Sequence, residues 1–312
     1  MTPFIQVCEV WVPHASRDYL VLHSGHYGDF TELADLSRTL LWSWGEGLPG
    51  RAWEAGEPVL LHDLNPAVFK RSDIAARLGL TCGFAIPVRA GEFLTGVIVF
   101  LCSDAAKAVG AFELWGATPD EPNYLGLLDG HYGRTQPFGD ASRGQTFARG
   151  FGLPGKAWQS GLPELMTGLG SSPDFLRASQ ARQCGIDVGI AIPVGIDSDQ
   201  PRIVALLSAP ATPLARRVEI WTVDAEHESL VFHDGWCANV PRLDRVYDGV
   251  HLSRSDSTVG RAWRCGIPMV VNQLSASGSA LGVAAVTAGL DTMVAIPVMD
   301  RGWVRAVVAL YP

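Results

Sequence analysis

Cysteine and histidine are the residue types here best suited to nucleophilic, redox or metal chemistry, and their spacing supports little of it. Cys8, Cys82, Cys102, Cys184, Cys237 and Cys265 stand far apart with no CxxC pair. That usage fits reduced thiols in a cytoplasm better than a disulfide framework. Cys82 and Cys102 are the two a hairpin could bring close, and an isolated cysteine is otherwise read as a small buried hydrophobe. The eight histidines lack HExxH-type spacing. His23 and His26 share one turn, and His233 repeats the His23 position while Leu128 occupies it in between, so a ligand role for His23 is weakly supported. There is no P-loop, no dinucleotide Gly-rich loop and no Gly-x-Ser-x-Gly elbow. Neither a catalytic constellation nor a metal site is expected.

The bulk properties describe a soluble globular protein with a large core. The 312 residues are 47% apolar and 18% charged, enough for two or three domains with a large core. The net charge of −8 is scattered, with no Lys/Arg run. Nucleic-acid binding and attraction to anionic membranes are disfavoured, since each needs a concentrated positive patch. Met1–Glu9 has no basic and apolar signal-peptide pattern. No apolar run approaches the roughly 18 residues of a membrane span. A cytoplasmic location without membrane insertion is expected.

The elements that would position any site repeat three times. Leu48-Pro-Gly-Arg-Ala-Trp53, Leu153-Pro-Gly-Lys-Ala-Trp158 and Val259-Gly-Arg-Ala-Trp263 place Gly50, Gly155 and Gly260 at intervals of 105 residues. Glu-x-Trp recurs at Glu9/Trp11, Glu113/Trp115 and Glu219/Trp221, turn glycines at Gly25, Gly130 and Gly235, and Ala-Ile-Pro-Val at 85–88, 191–194 and 295–298. Four landmarks in one order, three times, define units at 1–104, 109–209 and 215–312. In the first unit the pattern predicts strands over 4–12, 19–26, 40–44 and 59–61, then a hairpin of 84–88 with 94–101. Short helices are predicted over 48–56 and 69–78. Pro49 is tolerated in a first turn and Gly56 suits a helix end. Strand runs broken by two helices indicate an α+β fold with an antiparallel sheet. Trp11, Trp115, Trp221, Trp53, Trp158 and Trp263 recur in every unit and are read as core.

The series Gly45–Val59, Asp63-Leu64, Phe69-Lys-Arg71, Gly79-Leu80, Ile86-Pro-Val88 and Gly96–Phe100 resembles the GAF domain family. The second unit keeps most of it, including Phe175-Leu-Arg177, while the third loses Phe-x-Arg. The resemblance covers nearly the whole chain and implies a fold rather than a function, since GAF domains bind cyclic nucleotides, tetrapyrroles, amino acids or nothing. It implies a cavity in unit 1 lined by Trp42, Trp44, Phe69, Arg71 and Phe84, and one in unit 2 lined by Phe147, Arg149, Phe175 and Arg177. Aromatic floors with guanidinium groups suit a planar or anionic small molecule; the competing reading is a self-filled core. Unit 3 carries small residues from Ser275 onward and is expected to be structural. Neither Cys82-Gly nor Cys184-Gly matches the bilin-attachment pattern, and Asn65, Phe69 and Asp73 lack the rest of a cyclic-nucleotide signature.

One departure bears on assembly. GAF domains usually carry long terminal helices, yet strand 1 starts at Phe4 and only about nine residues (103–111) join units 1 and 2. The last strands are apolar on both faces: Val97, Val99 and Leu101 point one way, Ile98, Phe100 and Cys102 the other. Such strands are normally buried on both sides, so a compact pseudo-threefold body or an obligate oligomer is expected. The favoured function is a regulatory sensor that binds a small molecule in unit 1 or 2 and signals through a protein partner or homo-oligomer, its cofactor unidentified. The alternatives are a ligand-free assembly module and, more remotely, a GAF-type thiol reductase.

Overall fold

Each third of the chain forms one six-stranded antiparallel sheet. The computed structural model describes residues 4–104, 108–118, 120–194, 200–276 and 278–312. Met1–Pro3 of the expected first unit, part of the 103–111 link and Ser277 of the small-residue stretch therefore lie outside the described residues.

In repeat 1 the elements run β1 (Ile5–Pro13), β2 (Tyr19–His26), α1 (Thr31–Thr39), β3 (Leu41–Ser43), α2 (Gly47–Ala55), β4 (Val59–Leu61), α3 (Ser72–Arg77), β5 (Cys82–Ala90) and β6 (Phe93–Cys102). Repeat 2 follows with β7 (Gly110–Thr118), β8 (Glu121–His131), α4 (Gln136–Arg143), β9 (Thr146–Ala148), α5 (Gly152–Ser160), β10 (Glu164–Thr167), α6 (Ala178–Cys184), β11 (Val188–Pro193) and β12 (Arg202–Ser208). Repeat 3 has β13 (Arg217–Val223), β14 (Leu230–Cys237), α7 (Leu243–Val246), β15 (His251–Leu252), α8 (Thr258–Cys265), β16 (Met269–Asn272), α9 (Ala280–Thr287), β17 (Thr292–Asp300) and β18 (Trp303–Tyr311). All three sheets share one strand order, 3-2-1-6-5-4 within each repeat. The chain is thus α+β with three copies of one topology.

A helix absent from the sequence-based expectation, α1 with its counterparts α4 and α7, follows the second strand of each repeat. Its apolar face is narrow: in α1 only Leu33, Ala34 and Ser37 are buried. Periodicity alone is too weak there to announce it.

The repeated glycines have steric reasons. A Cβ on Gly50 would sit 2.2 Å from the Ser43 carbonyl oxygen, on Gly155 2.3 Å from that of Ala148, and on Gly260 2.0 Å from that of Ser253. The missing side chain at this helix position therefore lets α2, α5 and α8 lie against the segment before them. Gly56, Gly161 and Gly266 end those helices at φ of 66°, 67° and 62°, the left-handed cap that glycine adopts at least cost.

The doubly apolar strands explain the assembly. Val97, Val99 and Leu101 face the helices of repeat 1, whereas Ile98, Phe100 and Cys102 face a core shared by all three sheets. To that shared core repeat 2 brings Phe112, Ile190, Ile192, Val204 and Leu206, and repeat 3 brings Val218, Ile220, Ile296, Val308 and Leu310. Across the boundary of repeats 1 and 2, Phe112 stacks on Phe84 with ring centres 5.0 Å apart and lies 5.3 Å from Phe4. Side chains and backbone stitch the rim: Thr95 Oγ1 donates to the Gly266 carbonyl at 2.6 Å, Asn272 Nδ2 to that of Gly25 at 2.9 Å, and Arg202 Nε to Glu57 Oε2 at 2.8 Å. The three sheets enclose one pseudo-threefold core.

Candidate functional site

Beneath each sheet, on the helix side, the Glu-x-Trp landmark builds a buried polar knot. Glu9 is fully buried. Its Oε1 accepts from Tyr27 OH at 2.9 Å and lies 3.1 Å from Ser37 Oγ, and its Oε2 accepts from Trp11 Nε1 at 2.9 Å and Arg71 Nη2 at 3.0 Å. Arg71 Nη1 closes a second bond to Glu9 Oε1. Repeat 2 copies this with Glu113, Trp115, Tyr132, Ser142 and Arg177. Repeat 3, having lost Phe-x-Arg, rebuilds it. Tyr247 OH and Tyr311 OH donate to Glu219 at 2.7 and 3.0 Å, Trp221 Nε1 at 3.0 Å, and Arg217 stands 3.5 Å away. Burial alone would raise the Glu9 carboxyl, but the Arg71 charge and the hydrogen bonds from Arg71, Trp11 and Tyr27 outweigh it and hold it below the usual carboxylate range. Burial prevails at Glu219, which is raised despite its tyrosine, tryptophan and arginine partners.

These knots decide where the expected ligand residues stand. Trp42, Phe69 and Arg71 do come together, but the Arg71 guanidinium lies 5.0 Å from the Phe69 ring and 5.8 Å from that of Trp42 and is paired with Glu9. In repeat 2, Arg177 is caged by Phe138, Phe175, Trp115 and Phe147, with the Phe138 ring nearest at 4.4 Å. Phe84 lies across the sheet in the shared core, so it does not join Trp42. Trp44 is 57% exposed and meets Trp53 edge-on at 5.2 Å. At the matching positions Arg149 lies over Trp158 at 5.8 Å and Arg254 over Trp263 at 4.5 Å. Positions 44, 149 and 254 are thus outer covers of the helix tryptophans, through ring or cation–π contact.

A cavity of about 340 Å³ opens instead where the three repeats converge. Its walls are the Ile-Pro landmarks Ile86-Pro87, Ile192-Pro193 and Ile296-Pro297, and each repeat contributes one guanidinium, Arg89, Arg202 and Arg301. Glu57 and Glu92 also line it. Arg202 is paired with Glu57, and Arg89 Nη2 donates to the Glu92 carbonyl at 3.0 Å. Arg301 is exposed and has no hydrogen-bond or ion-pair partner among the described residues. A larger cleft of about 720 Å³ lies beside Trp263 and Trp303 and belongs almost wholly to repeat 3.

A second cluster was not foreseen from the sequence. Cys82 of β5, Asp104 beyond β6 and His131 of β8 bring donor atoms within 4.8 Å of one another. His131 Nε2 is 3.0 Å from Asp104 Oδ1, and Cys82 is paired across strands with Cys102, so the hairpin does bring those two thiols close. The Cys82 thiol is pulled down by hydrogen bonds with Cys102 and His131 that outweigh burial, while burial pushes Cys102 up. Burial opposes the His131 charge, but the bonds to Asp104 and Cys82 prevail and raise it to about 10. The sequence hides this group because its members are 22 and 27 residues apart and belong to two repeats.

No protein-family model matches the sequence, and no curated protein is similar to it. Solved structures resemble single repeats. A nitrate-binding-site mutant of the NreA protein from Staphylococcus aureus is 15% identical over 33% of this chain and 75% of its own, with a TM-score of 0.28. The GAF domain of A. aeolicus nlh2 in an inactive state is 22% identical over 32% of this chain and 58% of its own, with a TM-score of 0.26. A free methionine-R-sulfoxide reductase from Neisseria meningitidis is 18% identical over 31% of this chain and 52% of its own, with a TM-score of 0.25. At such scores the likeness says nothing of ligand or activity. Strand order, helix placement and the repeated landmarks make this an α+β protein of three GAF-like repeats.

Proposed function

We propose that the protein is a regulatory small-molecule sensor, without a catalytic step of its own, that binds a small anion in the axial cavity and acts through a protein partner. The observation that carries this reading is the convergence of one guanidinium from each repeat on a cavity walled by apolar Ile-Pro segments. Its volume of about 340 Å³ suits a small metabolite. Guanidinium groups favour carboxylate or phosphate over neutral ligands. Of the arginines expected to read a ligand, Arg71 and Arg177 are committed to Glu9 and Glu113 and Arg149 lies over the Trp158 ring, whereas Arg301 is free to pair. A ligand touching all three repeats would change their packing, and that supplies a signal without long connecting helices.

Isothermal titration with succinate, citrate and inorganic phosphate tests the reading. At least one of them should bind the wild type and raise its unfolding temperature, and Arg301→Ala with Arg89→Ala should weaken that binding by about 1.5–3 kcal/mol per lost charged hydrogen bond. Binding untouched by both variants but lost on Trp42→Ala would move the site into repeat 1. No binding by any of the three would leave the assembly reading in its place.

A further inference from the structure

The boundary of repeats 1 and 2 holds a group of side chains that neither the fold nor the proposed sensor site requires. We propose that Cys82, Asp104 and His131 form a binding site for a zinc-class divalent metal ion, bridging repeats 1 and 2. Three observations, of donor chemistry, of geometry and of the repeat itself, converge on it.

The first is chemical. One thiol, one imidazole and one carboxylate form a donor set of the kind that zinc, a borderline-soft ion, accepts. Magnesium and calcium, which want oxygen alone, would be poorly served. The second is geometric. Tetrahedral zinc with bonds of about 2.0–2.3 Å needs donors roughly 3.3–3.8 Å apart, and the three donors here already lie within 4.8 Å. His131 Nε2 and Asp104 Oδ1 are 3.0 Å apart, so a metal would take the place of the proton they share. Cys82 and His131 are buried and Asp104 is partly open, which gives the ion an entry path. The fourth position falls to water or to His62, whose ring centre is 6.0 Å from that of His131 and whose Nε2 is held by Asp129 at 2.9 Å.

The third observation comes from the repeat itself. The landmarks place Cys82, Val188 and Thr292 at equivalent positions, likewise His62, Thr167 and Asn272, and likewise His26, His131 and Trp236. At the boundary of repeats 3 and 1, the corresponding residues form an ordinary polar contact, with His26 Nδ1 3.0 Å from Asn272 Oδ1 and 3.4 Å from Thr292 Oγ1. Between repeats 2 and 3 the equivalents are Val188, Thr167 and Trp236, which offer no comparable donors. The architecture closes two of its three junctions with common side chains. A thiol with two imidazoles and a carboxylate at the remaining junction is an addition to what packing needs.

The test uses the full chain, purified with a phosphine reductant so that Cys82 and Cys102 stay thiols. Elemental analysis after dialysis should find one zinc per chain. Titration of the metal-free protein with Co(II) should give the intense visible bands of tetrahedral cobalt and a near-ultraviolet thiolate-to-cobalt band. Cys82→Ser should abolish the thiolate band. Asp104→Asn and His131→Ala should weaken zinc by at least the roughly 10–100-fold that loss of an outer-shell partner costs. Cys265→Ser, at an exposed thiol of repeat 3 outside the cluster, should change nothing. Circular dichroism confirms that each variant is folded, and the partly open Asp104→Asn keeps the test valid should His131→Ala unfold. A folded wild type that takes neither zinc nor cobalt, or a thiolate band that survives Cys82→Ser, overturns the proposal.

Discussion

Glu9 and Glu219 occupy the same place in two repeats yet answer pH in opposite directions. Glu9 is held low in the folded state, so its contribution is complete above the usual carboxylate range and lost as pH falls through its lowered value. Glu219 is raised, so folding is favoured by its protonation and penalised as pH climbs past its raised value. Glu9→Gln leaves Arg71 buried without a countercharge and should cost about 3–5 kcal/mol at neutral pH, with the cost shrinking below about pH 4. Glu219→Gln should cost less than half as much, and its cost should shrink towards neutral pH instead. Thermal unfolding of both variants across that range reads the two slopes, and parallel slopes would show the knots to be electrostatically alike. Trp11, Trp115 and Trp221 carry a second duty beyond core volume: each indole N–H occupies one carboxylate lone pair of the glutamate two residues before it.

At the scale of elements, the close approach of β3 to α2 depends on a missing side chain. Gly50→Ala and Gly155→Ala should each destabilise by roughly 1–3 kcal/mol, as overpacking does, because the new methyl meets a carbonyl oxygen that belongs to backbone. Urea unfolding measures this, and a neutral outcome would mean that the turn can open. Gly126→Ala, with nothing within 4 Å of its Cβ position, is the matched control. Most strands were legible as short apolar runs bounded by turn residues and from the repeat, although β5, β6 and β12 are buried on both faces and show no alternation. Helix α1 was not, because Ser37 is buried for its hydroxyl rather than for apolar surface: Oγ accepts from Arg71 Nη1 and directs its one hydrogen to the Leu33 carbonyl at 2.6 Å, with Glu9 Oε1 3.1 Å away. A buried serine looks like a surface serine in a hydropathy pattern.

For the whole molecule, one buried cluster draws on all three repeats and should make them unfold as one cooperative body. Phe112→Ala removes the ring that stacks on Phe84 and touches Phe4. It should cost about 3–5 kcal/mol and lower a single unfolding transition rather than detach one repeat. Calorimetry distinguishes these outcomes, since separate transitions would mean that the sheets fold independently. X-ray scattering should likewise fit one compact particle rather than three lobes.

Two apolar faces on Ile98–Cys102 and its counterparts were enough, in the sequence alone, to require cover on both sides of each sheet, because an uncovered apolar strand face loses its burial free energy to water. The triple landmarks likewise marked three copies of one unit, and the glycines of α2, α5 and α8 with their capping glycines record local steric and capping needs. Partnership between distant residues was decided only by the tertiary structure. Arg71 and Arg177 read equally well as ligand readers or as internal counter-ions until Glu9 and Glu113 were seen beside them. Phe84, on β5, turns into the core shared by the three sheets, whereas Phe69, in the segment before α3, packs on the helix side of repeat 1. Cys82 and His131 meet because two repeats pack side by side, and Arg89, Arg202 and Arg301 because three do. Side-chain type and spacing record what a residue can do, but charge pairing and coordination act over a few ångströms, and those distances exist only once the chain has closed on itself.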